Sequence, residues 1–502
     1  MTDRASNATR YPQIKKFARP DDLRARLVEL GTELRGEPDG DAMGAVPVDD
    51  AVDPNGPLAT PFTVRDASAG DRTVGNRFAI LPMEGWDATT DGQPTDLVER
   101  RWRRLGAGGA KLLWAEATAV VADGRANPNQ LVMSEPNVDA IGALRASMVE
   151  AHRERFDTTD DLLVGIQLTH SGRWSRPTTP APRLAHDHPL LAGRTPAGAT
   201  VFTDAELDDL IDAYVAAAKR AQRAGFDFVD VKHCHGYLLH ELLGAHDRPG
   251  RFGGSFDGRT RFFRTVVERL RAEAPGLGVA LRLSAYDFVP FAPGDDRIGV
   301  PATAADRPAP GDEAPYRWAF GGDGTGLGVD LAETHAMLDL CRELGVGLVS
   351  ITAGSPYYNP HIQRPAYFPP SDGYLPPEDP LVGVARMLNA TAELQRAHRD
   401  LAIVTGAMSY LQNWFAHVGQ AVVAGGAATA IGLGRMALSY PHLPSDVLAG
   451  VDFDRHLVCR TLSDCTTAPR NGLISGCYPL DDFYKDRPER IELGRIKRRL
   501  RG

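Results

Sequence analysis

The chain has 502 residues, 43% hydrophobic and 24% charged, a composition that suits a folded globular protein and excludes a disordered or fibrous one. A net charge of −9 excludes a nucleic-acid binder whose affinity would rest on a surplus of Lys and Arg facing phosphates. Five cysteines, an odd number behind a polar start from Met1 to Lys16, point to a reducing compartment without a disulfide framework, and we expect a cytoplasmic protein.

In chain order, an N-terminal extension comes first, dense in Gly, Pro and Asp over 36–57. Short apolar runs of the buried-strand type then recur at 77–83, 111–118, 162–170, 226–233, 278–285, 348–354, 401–407 and 428–435, a count of eight. Each leads into a longer segment of helical periodicity. The clearest opens with Thr203 and Glu206 in a capping-box pattern and carries Leu207, Leu210, Ile211, Tyr214, Val215 and Ala218 on one stripe before Gly225 stops it. Segments after Thr95, Thr260, Leu331, Pro380 and Tyr410 behave similarly. Repeated strand-then-helix units predict a (β/α)8 TIM barrel, because fully buried parallel strands need crossover helices to cover them.

Two long loops, 171–202 and 286–328, follow the third and fifth strand ends and so belong on the catalytic face, either as lids and binding loops or as insertions without function. The uncharged run 417–434 falls short of the roughly 20 apolar residues that span a membrane, so no membrane partner is expected. The basic run from Arg487 to Arg501 is interleaved with Glu489 and Glu492, as a solvated helix face would be. We expect three parts: an extension at 1–70, the barrel at 71–450 and a C-terminal tail at 451–502 packed on it.

Barrels do their chemistry at strand ends. The fourth run ends in Lys232-His233-Cys234-His235-Gly236-Tyr237, which gathers Lys, His, Cys and Tyr, all proton-handling side chains, in one hexapeptide. The third closes on Gln167-Leu168-Thr169-His170, and the fifth holds Arg282 inside an apolar strand, where a charge needs a partner. The last two end in Thr405-Gly406-Ala407 and Gly432-Leu433-Gly434-Arg435, whose glycines let backbone N–H groups approach a phosphate. On their own, Gln167 could equally be a surface hydrogen-bonding residue, Arg282 a salt-bridge partner and Tyr237 a core ring. Together with Asn76-Arg77 leading to Leu81-Pro82-Met83, and with Glu116-Ala117-Thr118 at the second strand end, the set resembles the old yellow enzyme family over about residues 70 to 450. That family comprises FMN-dependent (β/α)8 barrels that reduce activated alkenes and related acceptors.

The resemblance implies FMN as cofactor and NAD(P)H as reductant. It implies Pro82, Met83 and Glu84 beside the flavin, Ala117 against its ring, Gln167 on the pyrimidine edge, Arg282 near N1 and O2, and Gly406, Gly434 and Arg435 on the phosphate. A carboxamide suits that edge because it both donates and accepts. His235 and Tyr237 fill the positions that hold the substrate oxygen and protonate its carbon, while Lys232 stands where most members carry His. The ammonium keeps a donor there and stabilises a developing oxyanion more strongly. His233 and Cys234 are expected to face the helical shell or barrel packing.

Glu84 stands where relatives carry Thr, Cys or His, and a carboxylate there would repel a reduced flavin unless paired, so we expect it to pair with Lys232. In multidomain relatives four tail cysteines bind an iron–sulfur cluster; Cys459, Cys465 and Cys477 resemble that pattern with one cysteine missing, and no metal is expected. The implied activity is hydride transfer from NAD(P)H through flavin N5 to an α,β-unsaturated carbonyl or similar small-molecule acceptor, with self-association expected by analogy. The alternatives are the same flavin run in the oxidative direction, as a dehydrogenase or demethylase, a flavin-free lyase using Lys232 as a Schiff base, and a non-catalytic flavin-storage or scaffold role.

Overall fold

The computed structural model describes residues 10–35, 42–177, 181–302 and 316–501; the expectations for 1–9 and 36–41 of the extension, for 178–180 and 303–315 of the two long loops, and for Gly502 lie outside the described residues. Eight parallel strands close into a barrel in chain order: β1 Phe78–Ile80, β2 Leu112–Ala119, β3 Leu163–Thr169, β4 Phe228–Val231, β5 Gly278–Ser284, β6 Leu348–Thr352, β7 Ala402–Thr405 and β8 Ala430–Leu433. Their residues are buried throughout, which is why they read in the sequence as continuous apolar runs rather than alternating ones. Most are shorter than those runs. The trailing residues leave the hydrogen-bond ladder and turn onto the rim.

Helices α1 Asp96–Gly106, α2 Val138–Phe156, α3 Asp204–Arg223, α4 Phe256–Glu273, α5 Ala332–Glu343, α6 Pro380–Ala397, α7 Phe415–Ala424 and α8 Leu443–Leu448 follow the strands in turn. α4 starts at Phe256, ahead of the expected Thr260, because Ser255 caps it by accepting from the Gly258 N–H at 3.2 Å. α2 is a helix the sequence reading does not mark. Its buried Val138, Ile141, Leu144 and Met148 are spaced helically, but Gly142 interrupts them and a charged His152-Arg153-Glu154-Arg155 end follows. At α3 the capping box forms: Glu206 N donates to Thr203 Oγ1 at 3.2 Å and Thr203 N to Glu206 Oε2 at 2.7 Å. Thr203→Ala should therefore cost about 1 kcal/mol, read as a lower urea midpoint with an unchanged slope.

A hairpin, Phe62–Val64 with Arg72–Val74, plugs the N-terminal end of the barrel, packing Phe62, Val64 and Val74 against Leu112, Trp114, Leu163 and Phe228. Asp66 Oδ2 ties it there by accepting from Val279 N at 2.9 Å. Only the C-terminal end is left to open.

The tail lies against the barrel. Asp481 takes ion pairs from Arg100 at 2.9 Å and Arg104 at 2.6 Å, both on α1. The tail's helices α9 Asp464–Arg470 and α10 Glu489–Arg501 share a small core of Ala468, Tyr478, Tyr484 and Leu493, so α10 buries one face and leaves Arg495 and Arg499 to pair with Glu492 and Lys497 with Asp464. Among the described residues no helix is long and apolar enough to cross a membrane.

Candidate active site

The chain leaves β4 through two consecutive residues in the left-handed region, His235 at φ 69° and Gly236 at φ 74°. A side chain at Gly236 would meet Ser355 Oγ at 2.8 Å and Tyr358 at 2.9 Å, so only glycine fits. This turn swings Tyr237 back over the barrel mouth, just ahead of a short helix at Leu238–Leu243. A cleft of about 1060 Å³, its open mouth included, lies there.

The cleft gathers Pro82, Met83 and Glu84 from the first strand end, His235 and Tyr237 from the fourth, Arg282 from the fifth, and Gly434 and Arg435 from the eighth. Four other expected residues do not line it. Lys232 lies just behind: its Nζ is 3.4 Å from Glu84 Oε1 and 3.9 Å from the centre of the Tyr237 ring. Ala117 is fully buried beside a bulge in β2, its carbonyl accepting from Gln130 Nε2 at 2.9 Å. Gly406 precedes Ala407, which does line the cleft. Gln167 is turned into the barrel, donating from Nε2 to Asp230 Oδ2 at 2.5 Å.

The polar groups are held in defined states. Burial pushes the His235 imidazole well below its usual range, and Arg282 and Lys232 push it the same way, so it is neutral; Gln363 Nε2 lies 3.2 Å from its Nε2. Burial raises the Tyr237 phenol well above 10, with the Glu84 charge adding to it, and its hydroxyl is 3.1 Å from that of Tyr357. Tyr357 in turn stacks on Trp174 with ring centres 4.4 Å apart. Glu84 is doubly engaged, by Lys232 and by Trp86 Nε1 at 2.7 Å. His233 packs on Phe263 of α4, in the helical shell.

Asp230 is a site residue the sequence reading missed. It is fully buried on β4, in register with Gln167 of β3, and also accepts from Trp114 Nε1 at 3.1 Å and Arg282 N at 2.8 Å. Burial outweighs these donors and raises its pKa to about 6. A folded-state pKa above the unfolded one means the native protein binds the extra proton, so stability falls as pH rises from about 4 to 6. Asp287, also raised to about 6, contributes in the same window. Asp230→Asn should flatten that dependence by about half, and urea titrations across the window would read it.

Whether the cleft suits a flavin can be tested on its orphaned donors. Arg282 Nε and Arg435 Nη1 are buried without hydrogen-bond partners, although both side chains border the cleft. A side chain at Gly434 would meet only Met83 Sδ, at 3.7 Å, so the backbone there stands open to a ligand. Two cations and an open glycine backbone fit the anionic edge and the phosphate of FMN. The departure is Gln167, whose NH2 is committed to Asp230. Among the described residues no group of three or more His, Cys, Asp or Glu is placed to hold a metal ion.

The reading also missed Trp86, Tyr357, Gln363, Arg364 and Arg470, all on the cleft wall. Tyr357, Gln363 and Arg364 follow the sixth strand, where position alone was a usable signal. Arg470 comes from the tail, and nothing local in the sequence marks it.

Residues 58–304 match the family described as NADH:flavin oxidoreductase / NADH oxidase. An NADPH dehydrogenase of Geobacillus sp. (strain WCH70) is 30% identical over 250 residues, covering 46% of this chain and 64% of the relative, and the chain spans under two thirds of the curated relatives it matches. Among solved structures, a 2-naphthoyl-CoA reductase aligns at TM-score 0.62 and 18% identity, covering 85% of this chain and 57% of that one. An old yellow enzyme homologue from Zymomonas mobilis aligns at 0.51 and 20%, covering 78% of this chain and 92% of that one. At such identities the solved structures speak for the fold alone.

Proposed function

We propose, from the match of residues 58–304 to the NADH:flavin oxidoreductase / NADH oxidase family, that the protein is an FMN-dependent oxidoreductase carrying hydride from NAD(P)H to an activated alkene, most simply an α,β-unsaturated carbonyl compound. The observation that carries this reading is the meeting of His235, Tyr237 and Arg282 in one cleft at the barrel mouth. FMN, when bound, takes up a hydride and passes it on. Arg282 would hold its pyrimidine edge, Gly434 and Arg435 its phosphate, and Pro82, Met83 and Glu84 the surroundings of its ring, with Gln167, Gly406 and Ala117 set behind these.

The residues of the chain then divide the remaining work. His235, being neutral, polarises the acceptor oxygen by hydrogen bonding rather than by charge. Tyr237 keeps its proton across the neutral range and can deliver it to the acceptor carbon. Lys232 acts through its neighbours, neutralising Glu84 and lying on the Tyr237 ring. Trp86 and Tyr357, the latter backed by Trp174, wall the site with aromatic surface that excludes water. A Schiff-base lyase is disfavoured, since it needs a neutral amine open to the cleft, whereas Lys232 is ion-paired and covered. One observation favours the oxidative direction as a second reading: with Lys232 in place of an imidazole and set behind the cleft wall, His235 alone is left to polarise an enone oxygen.

We take 71–450 as the catalytic unit, with the 1–70 extension and the 451–502 tail as its supports. We place the protein in the cytoplasm on the strength of its five unpaired thiols. It acts on small molecules, without nucleic-acid partners, and self-association is expected. Purified protein should be yellow, lose its colour under anaerobic NADH or NADPH, and regain it with an enone. Colourless protein that takes up no FMN, or colour that NAD(P)H leaves untouched, overturns the proposal. Bleaching by an amine or alcohol, with no response to enones, would reverse the direction.

A further inference from the structure

The cleft wall holds more positive charge than the proposed cofactor sites use. Arg364, on the loop after β6, donates from Nη1 to Thr466 Oγ1 at 2.5 Å, while its Nε and Nη2 are buried without partners. Among the described residues no carboxylate lies within ion-pair distance of it, and burial, Arg470 and Arg435 together press its pKa down to about 9. A half-buried cation with two buried, unanswered donors is costly and is normally met by an anion.

Its surroundings place that anion. Arg364 directly follows Gln363, which touches His235 at 3.2 Å. Arg470 donates to Pro356 O at 2.8 Å and lies over the Tyr357 ring at 5.5 Å, and the Tyr357 hydroxyl is the one 3.1 Å from Tyr237. Arg364 is therefore next in the chain to the residue that touches the proposed oxygen donor, and the Arg470 guanidinium packs on the residue that touches the proposed acid. Arg435 rises from β8 beside Gly434 and donates from Nη2 to Pro365 O at 2.7 Å, next to Arg364, so the FMN phosphate is the competing claimant for this charge. Arg470 is partly answered by an ion pair with Asp372, which leaves Arg364 as the unbalanced charge.

Resting on the flavin reading above, we infer that Arg364, backed by Arg470, forms an anion subsite that receives a carboxylate or phosphate group of the small molecule occupying the cleft opposite His235 and Tyr237. Two molecules could bring such a group, the hydride acceptor and NAD(P)H, and the test separates them. Holoenzyme and its Arg364→Met and Arg470→Met variants would be studied in separate half-reactions by stopped flow. As acceptors, 3-benzoylacrylate and its methyl ester share one alkene and differ in one charge. The wild-type protein should bind the acid roughly ten-fold more tightly than the ester, a preference that Arg364→Met brings to about one and Arg470→Met lowers less.

If the acid-to-ester ratio is the same in all three proteins while Arg364→Met weakens NADPH or NADH in the reductive half-reaction, the subsite stands and its anion belongs to the reductant. Perturbation of the oxidised flavin spectrum by 3-benzoylacrylate gives the same affinities without turnover. Equal affinities in both half-reactions overturn the subsite. So does an apoprotein in which Arg364→Met weakens FMN but not riboflavin, since Arg364 would then serve the cofactor phosphate. A protein that holds no flavin fails the functional proposal instead, and the two failures are distinct.

Discussion

Tyr237→Phe should slow flavin reoxidation by an enone by about 10²- to 10⁴-fold while leaving reduction by NAD(P)H nearly unchanged. The asymmetry follows from where the phenol stands. Its ring stays in place without the hydroxyl, since the face rests on the Lys232 ammonium at 3.9 Å and the edge lies among the aromatic residues of the cleft wall. What disappears is one proton donor, needed only when a carbon accepts hydride. Because burial holds the phenol far above neutral pH, the wild-type oxidative half-reaction should also be flat from about pH 6 to 9 for this group. Tyr357→Phe, which deletes the partner hydroxyl at 3.1 Å, should cost far less. Stopped-flow rates for the two half-reactions decide the matter. Equal losses in both would place Tyr237 in binding, and no loss would hand the proton to solvent.

The barrel was legible because its strands are buried on both sides and the apolar residues recur without a solvent face to interrupt them. Where the reading fell short, the missing information was tertiary. Helix α2 covers the barrel with small and apolar residues around Gly142, a stripe too weak to stand out locally. Asp230 looked like an ordinary polar residue within a strand; its role depends on Gln167 standing opposite across the β3–β4 register and on the Arg282 N–H from the next strand. Gln167 was correctly placed at a strand end, but its direction is set by Asp230. Arg470 reaches the cleft only because the tail folds back over the rim, pinned by Asp481 to α1. By contrast, the Lys232 and Glu84 pairing could be anticipated from the family resemblance, which sets both departures facing the flavin ring, where opposite charges answer each other. Their strands, β1 and β4, are separated in the barrel by β2 and β3, and the two side chains meet at 3.4 Å because both turn inward at its C-terminal end.

Arg101→Met should lower stability by about 3–5 kcal/mol, the largest loss expected from any single change away from the cleft. Arg101 is buried on α1 between two buried carboxylates, binding Asp87 at 2.6 Å and Glu116 at 2.7 Å. Burial opposes its charge, yet the two acids more than offset this and hold it firmly protonated. Burial likewise pushes the Glu116 carboxyl up, against the pull of Arg101 and the donor Trp102 Nε1 at 2.9 Å. Removing the guanidinium leaves two acids facing each other in a dry interior, so most of the cost is the stranded charge rather than a lost attraction. Adding Asp87→Asn and Glu116→Gln to Arg101→Met should therefore restore much of the stability, and urea unfolding of the single and triple variants reads the difference. The cleft should feel the single change as well. Glu116 Oε2 accepts from Gly85 N at 3.2 Å, between Glu84 and Trp86, so a repelled Glu116 releases the segment that lines the first-strand side. Flavin should be lost from Arg101→Met at lower urea than the fold itself; if colour and fold vanish together, the network serves stability alone.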